Sequence, residues 1–352
     1  MHNEIPMLEL MLRPAFCVSD GKITKINKAA DPFLLSEGME IRKLLATSQE
    51  EYESFTSGCL YLTHMIGTRQ IGATVIAQDQ QQIFFLEQPN EKNELQSLAL
   101  AAQQLREPLA GMLTTSKELM PSASSDPVQL AQFNRRMYQA LRIVSNMADA
   151  ARFSQNGSER MEYVDICSFM AELLEKTAHV LLEANIHLHY NIPSKELFTL
   201  ADVAQLERAV YNMISNAAKH TPAGGSIEVT LACRGRLYIS VTDHGNGMED
   251  GVKSSLFQHY LRQIALSDGA DGIGLGMVLI RAAASAHGGT VLIDQPQNCG
   301  TRITMTLALQ QKTTIPLCSP ILHVDYAGER DHCLQELADV LPAHLYHPDN
   351  LD

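Results

Sequence analysis

The chain has 352 residues, enough for two or three domains with separate cores. Its formal net charge of -13 argues against nucleic acid or an anionic membrane surface as the main partner. Seven cysteines without a CxxC pair, no apolar run near the roughly 18 residues of a membrane span, and an acidic rather than basic N-terminus, MHNEIPMLEL, imply a soluble cytoplasmic protein without a disulfide framework.

Residues 1–90 read as short strands and turns. Pro14–Val18 is strand-like and ends at the turn Ser19-Asp20-Gly21. Lys22–Asn27 then alternates polar and apolar residues, as a half-buried strand does. Further strands are expected at Gly58–Ile66, Ala73–Ala77 and Gln82–Leu86. Phe16 to Asn27, followed by Ala29-Ala30 and Gly38, resembles the opening of a PAS sensor domain. The alternative is a small α+β module that only dimerises.

Residues 92–158 change character. Leu98, Ala102, Leu105, Leu109, Met112, Ser116 and Leu119 approximate a 3.5-residue period, with Ser116 the polar lapse. Pro121–Pro127 breaks that helix, and Pro127 suits the first turn of the next. The second helix carries Leu130, Phe133, Met137, Leu141, Val144, Met147 and Ala151 on one face. Such a hairpin exposes too much apolar surface for a monomer, so a homodimer pairing two hairpins into a four-helix bundle is expected.

From 160 to 309 helices and strands mix. Helices are expected at Asp165–Ala184, Val203–His220 and Met277–His287. Strands are expected at Ile186–Asn191, Ser226–Ala232, Leu237–Asp243, Thr290–Asp294 and Thr301–Leu309, which suggests an α/β sandwich with helices on one sheet face. Residues 310–352 form a tail extension with an expected strand at Pro320–Val324 and helix at Asp331–Leu341. The fold class is therefore multidomain α+β.

Three segments carry chemistry. In NMISNAAKHT, Asn212 and Asn216 lie one turn apart on a helix face and Lys219 follows three residues on. An amide oxygen ligates magnesium without adding negative charge beside phosphate, which suits Asn216, and Lys219 is placed to meet a phosphate. Asp243 ends a strand before His244-Gly245-Asn246-Gly247, where a carboxylate can accept a hydrogen bond from a purine amino group; a plain tight turn is the alternative. Gly272, Gly274 and Gly276 open a helix, whose N-terminus favours phosphate, without the preceding strand of a dinucleotide fingerprint. Between them, Met248–Asp271 is polar and small-residue-rich, as a mobile lid would be.

NMISNAAKHT, DHGNGM, LFQHYLR, DGIGLGM, AHGG and CGT resemble the N, G1, F and G2 boxes and closing strand of the ATP-binding domain of sensor histidine kinases, across 160–309. The resemblance implies ATP and Mg2+ as ligands. It assigns Asn216 to magnesium, Asp243 to the adenine amino group, and Gly245, Gly247, Gly272, Gly274 and Gly276 to the pocket. Phe257 would anchor the lid, Arg262 would reach the phosphates, and Thr301 would complete the adenine site.

The hairpin resembles the same family's dimerisation and phosphoacceptor region, with one difference. Where the histidine box reads S-H-E-L-R-T-P-L, this chain has Ala102-Gln103-Gln104-Leu105-Arg106-Glu107-Pro108-Leu109. Gln103 stands in place of the histidine, and a carboxamide is no nucleophile toward ATP. Gln104 replaces the general base, and Glu107 the residue that would position water. No histidine lies in 92–160, and those elsewhere read as surface or packing residues. His187 and His189 share a strand face but lack a third metal ligand.

The expectation is a dimeric two-component signalling protein that binds Mg-ATP without phosphorylating itself on the usual histidine. Alternatives are a kinase acting in trans on a partner histidine kinase, a serine kinase of the anti-sigma type, and an ATP-independent interaction module. A response regulator is a possible partner.

Overall fold

The computed structural model describes residues 8, 13–45, 48–66, 69–78, 81–87, 102, 105, 109, 112, 127–156, 160–245, 275–296, 300–309 and 331–350. The N-terminal unit holds five antiparallel strands: β1 (Ala15–Ser19), β2 (Lys22–Ile26), β3 (Cys59–Ile66), β4 (Arg69–Gln78) and β5 (Gln81–Leu86). Their order is β2-β1-β5-β4-β3, and two short 3₁₀ turns and helix α1 (Gln49–Ser54) lie between β2 and β3. The turn joining β1 and β2 has positive φ at both Asp20 (50°) and Gly21 (70°), the twist a two-residue hairpin requires. Phe16, Leu60, Leu62, Val75 and Phe84 fill this unit's core.

Helix α2 (Pro127–Asn156) begins at the proline expected to start it. Of the preceding helix, Ala102, Leu105, Leu109 and Met112 are described and helical; Gln103, Gln104, Glu107 and the rest lie outside the described residues. The expected bare stripe is largely covered within one chain. Met137, Leu141, Val144, Met147 and Ala151 are buried, because the C-terminal segment and the helix beginning at Leu275 pack on α2. Leu105, Met112, Val128, Phe133 and Ile143 stay exposed.

The α/β unit contains α3 (Ile166–Leu182), α4 (Val203–His220) and α5 (Leu275–Ala286), with strands β7 (His187–Asn191), β9 (Ser226–Cys233), β10 (Arg236–Asp243), β11 (Val291–Asp294) and β12 (Arg302–Ala308). Asp165 caps α3 by accepting from Cys167 N at 3.2 Å, and Asp202 caps α4 by accepting from Gln205 N at 3.1 Å. Leu237, Ile239 and Val241 of β10 are buried in one core with Ile227 and Val229 of β9 and with Leu206, Val210, Met213 and Ile214 of α4. A small sheet of β6 (Glu162–Asp165) and β8 (Phe198–Ala201) was not expected from the sequence.

The N-terminal sheet does not end at β3. Tyr61, Leu60 and Cys59 pair antiparallel with Val291, Leu292 and Ile293, so β11 joins both units in one sheet ordered β2-β1-β5-β4-β3-β11-β12-β10-β9-β7. Side chains reinforce the seam. Arg236 pairs with Glu51 at 2.7 Å, and the Arg281 guanidinium lies 5.1 Å from the Tyr61 ring centre.

The C-terminal helix is shorter than expected. Only His332–Glu336 (α6) is helical, followed by turns and a 3₁₀ turn at Ala343–Tyr346. Backbone bonds of helical spacing end with Leu341 N to Leu337 O, since Pro342 has no N–H to give Ala338 O; that carbonyl accepts from Arg135 and Gln139 of α2 instead, and Asp339 O accepts from Arg135. The strand expected at Pro320–Val324 lies outside the described residues.

Candidate functional site

Three element ends meet here: the C-terminal half of α4, the end of β10, and the N-terminus of α5. The site's densest hydrogen bonding surrounds Asp243. Its side chain is buried, with Oδ1 accepting from Gly245 N and Oδ2 from Thr301 N, each at 3.0 Å. The backbone repeats the tie, since Asp243 N donates to Thr301 O and Gly300 N donates to Asp243 O, both at 2.9 Å. A carboxylate held by two backbone donors is fixed in direction, and its remaining lone pairs face whatever donor approaches.

Two glycines make that approach possible. A Cβ on Gly300 would overlap Asp243 Oδ1, and one on Gly245 would overlap the His220 carbonyl. Gly300 was not among the residues expected to matter. Its signal was present, a glycine immediately before the threonine expected to close the site.

On α4, Asn212 is buried and donates from Nδ2 to Arg208 O at 2.8 Å. Its Oδ1 has no hydrogen-bond partner among the described residues and faces Gly276, where an added Cβ would stand 2.8 Å away. Gly276 therefore allows α5 to close against Asn212. Asn216 is half-buried and leans its amide nitrogen toward Met277 Sδ at 4.0 Å, leaving Oδ1 as a hard donor. Lys219 does not project free. Its Nζ pairs with Asp339 of the C-terminal segment at 2.8 Å.

The structure thus brings Asn212, Asn216 and Gly276 together along the α4–α5 contact, and Asp243, Gly245 and Thr301 at the end of β10. Gly247, Phe257, Arg262, Gly272, Gly274 and the segment 248–271 lie outside the described residues. His287 is structural: it is buried, its Nδ1 bonds Ala283 O at 2.7 Å, and its Nε2 accepts from Asp202 N at 2.9 Å. Burial holds its pKa below the ordinary histidine value.

Residues 201–311 match the family of histidine kinase-, DNA gyrase B-, and HSP90-like ATPases. This stretch is an ATPase domain of that family. It contains all the described site residues. The curated relatives that the chain matches include sensor kinases. Sensor histidine kinase WalK of Bacillus subtilis is 26% identical over 224 residues, covering 61% of this chain and 36% of WalK. Adaptive-response sensory kinase SasA of Synechocystis is 28% identical over 228 residues, covering 60% of this chain and 58% of SasA. The chain thus spans less than two thirds of either relative. Among solved structures, full-length ShkA in complex with AMPPNP superposes with a TM-score of 0.50 at 22% identity, covering 62% of this chain and 47% of that one, a likeness of fold. Among the described residues no helix is long and apolar enough to cross a membrane.

Proposed function

We propose that this chain is a histidine-kinase-like signalling protein whose ATPase domain binds Mg-ATP and acts as a conformational switch, without self-phosphorylation at the usual histidine position. The observation that carries the nucleotide reading is the cradle around Asp243. A fixed, buried carboxylate with glycine on two sides suits a flat purine that donates one amino hydrogen. Magnesium takes hard oxygens. The amide oxygen of Asn216 fits it, and the orphaned Oδ1 of Asn212 adds a second hard acceptor behind it. In this reading Asp243 orients the base, Asn216 holds the cation that screens the phosphates, and Gly276 lets α5 approach. Gly247, Gly272 and Gly274 would complete the pocket, Phe257 would seat a lid, and Arg262 would reach the phosphates.

The absence of self-phosphorylation rests on Gln103 and Gln104, which offer neither nucleophile nor base. Homodimerisation is supported by the exposed Leu105 and Met112 and, on α2, the exposed Val128, Phe133 and Ile143. The order β2-β1-β5-β4-β3, with helices between β2 and β3, supports a PAS-like sensor role for the N-terminal unit. A second reading, a kinase acting in trans on a partner histidine kinase, gains from the intact Asp243 cradle. A response regulator could then follow downstream.

The test incubates the purified chain with γ-labelled ATP and magnesium beside a thermal-shift titration of ATP. Stabilisation without label is expected. Label on the protein would overturn the claim about Gln103, and label passing only to an added kinase would favour the trans reading.

A further inference from the structure

The C-terminal segment 331–350 is built into the protein rather than appended to it. Cys333, Leu334, Leu337, Ala338, Leu341 and Tyr346 belong to the same core as α3 and α4. The segment also grips α2. Asn134 Nδ2 donates to Tyr346 O at 3.0 Å, Arg135 Nη2 to Asp339 O at 2.9 Å, and the Tyr138 and Tyr346 rings meet edge-on with centres 5.2 Å apart. Glu336, fully buried, lies between Arg142 of α2 and Arg208 of α4, and Arg208 also holds Asp149 of α2 at 2.8 Å. Twenty residues thus fasten the helix α2 to the ATPase domain.

One contact of this strap reaches the candidate site. Asp339 shares its carboxylate between Arg142 and Lys219, and Lys219 lies one turn beyond Asn216 on α4. While Asp339 holds that ammonium, part of its charge is already engaged and its side chain is drawn toward the C-terminal segment. Nucleotide phosphates carry the same kind of charge as Asp339. Both cannot engage one compact ammonium fully.

We propose that the segment 331–350 is an autoinhibitory strap, in which Asp339 competes with nucleotide phosphate for Lys219 so that nucleotide binding and release of the strap from α2 are coupled. This rests on the Mg-ATP reading above. The coupling is reciprocal by linkage: phosphate weakens the strap as much as the strap weakens phosphate binding. Both partners of the pair are 30% exposed, so solvent screens it and its effect is modest.

The experiment measures Kd for Mg-ATP and for adenosine in the full chain, in Asp339→Asn, and in both backgrounds carrying Lys219→Met. Asp339→Asn is expected to tighten ATP about three- to fivefold at low salt, the range of an exposed ion pair, and to leave adenosine unchanged. The gain should vanish with Lys219→Met, since the cycle isolates the pair. Hydrogen exchange on the unmodified chain provides a readout that needs no variant: saturating Mg-ATP should raise exchange across 331–350. If the chain binds ATP but Asp339→Asn leaves its affinity unchanged or lowers it, the competition is overturned. If neither ATP nor adenosine binds, the nucleotide reading itself has failed and takes the strap's trigger with it.

Discussion

Gly300→Ala is the sharpest test of the Asp243 cradle. The new Cβ would overlap Asp243 Oδ1 and stand 2.8 Å from its Cγ, so the carboxylate must turn away. Turning breaks at least the bond from Gly245 N, and strains the one from Thr301 N. A hydrogen bond to a charged group contributes about 1.5–3 kcal/mol, so losing one should cost ~2 kcal/mol of stability. The same displacement should weaken ATP roughly 10- to 100-fold, because the acceptor for the amino group has moved. Urea unfolding is best followed by circular dichroism, since the sequence has no tryptophan. Calorimetric titration with ATP and with inosine triphosphate separates base recognition from phosphate binding. Wild type should prefer ATP, and the variant should lose that preference. Gly224→Ala is the control: its φ is +82° with nothing nearer than 3.9 Å, so it should cost about 1 kcal/mol through the left-handed backbone and leave ATP affinity intact. Wild-type preference for ATP in Gly300→Ala would refute the assignment of Asp243.

Other outcomes follow from burial. His64 is fully buried against Phe16 and Phe84, neither ring nitrogen has a partner among the described residues, and burial holds its pKa down at about 3. Below the unfolded value near 6.5 the unfolded chain takes up a proton that the folded one refuses. Stability therefore falls as pH drops from about 6.5 toward 3, by about 2 kcal/mol at pH 5, and His64→Leu should abolish that part. Equal acid sensitivity in both proteins would contradict this. Burial pushes the thiols of Cys59 and Cys333 up to about 11 and 12, whereas Cys233 is exposed. Of these three, Cys233 alone should react with a thiol reagent in native buffer, and peptide mapping would show the order. Gly58 has φ +93°, and a Cβ there would overlap the Ile293 carbonyl. Gly58→Ala should therefore loosen the β3–β11 seam at a cost of ~2 kcal/mol or more, visible as faster hydrogen exchange across 59–66 and 291–294. Unchanged exchange would argue against the seam.

Local pattern carried much of the fold. The α4 helix runs over Val203–His220 as the apolar spacing and the Asp202 cap require, and alternation set β1, β2, β9 and β10 to within a residue or two. The placement of Asp243 at a strand end, Asn216 late in α4 and Gly276 at the start of α5 was legible from local pattern. What was not legible depends on distant partners. Asp339 looks like any acidic surface residue until α2 and α4 bring Arg142 and Lys219 to it. The stripe on α2 reads as a dimer seam, yet Met137 and Leu141 find their cover 200 residues away. Nothing local distinguishes an apolar face awaiting a second chain from one awaiting its own C-terminus.

The seam at β3 makes the same point and has a mechanical consequence. β3 pairs with β4 on one edge and β11 on the other, so no solvent-exposed edge separates the N-terminal unit from the ATPase domain. A displacement of β3 must therefore either carry β11 with it or break the pairs from Cys59 to Tyr61. Tyr61 adds a second route, because Arg281 packs on its ring from α5, the helix whose first turn holds Gly276 against Asn212. The α/β unit is thus braced on both sides of its candidate site. The N-terminal sheet fixes β11 and α5, and the C-terminal strap fixes α4 and Lys219. Both braces must yield or move together for α5 to change its distance from α4. β11 also pairs with β12, and Thr301 just before β12 holds Asp243, so the seam reaches the candidate site by two routes, through β12 to Asp243 and through α5 to Gly276.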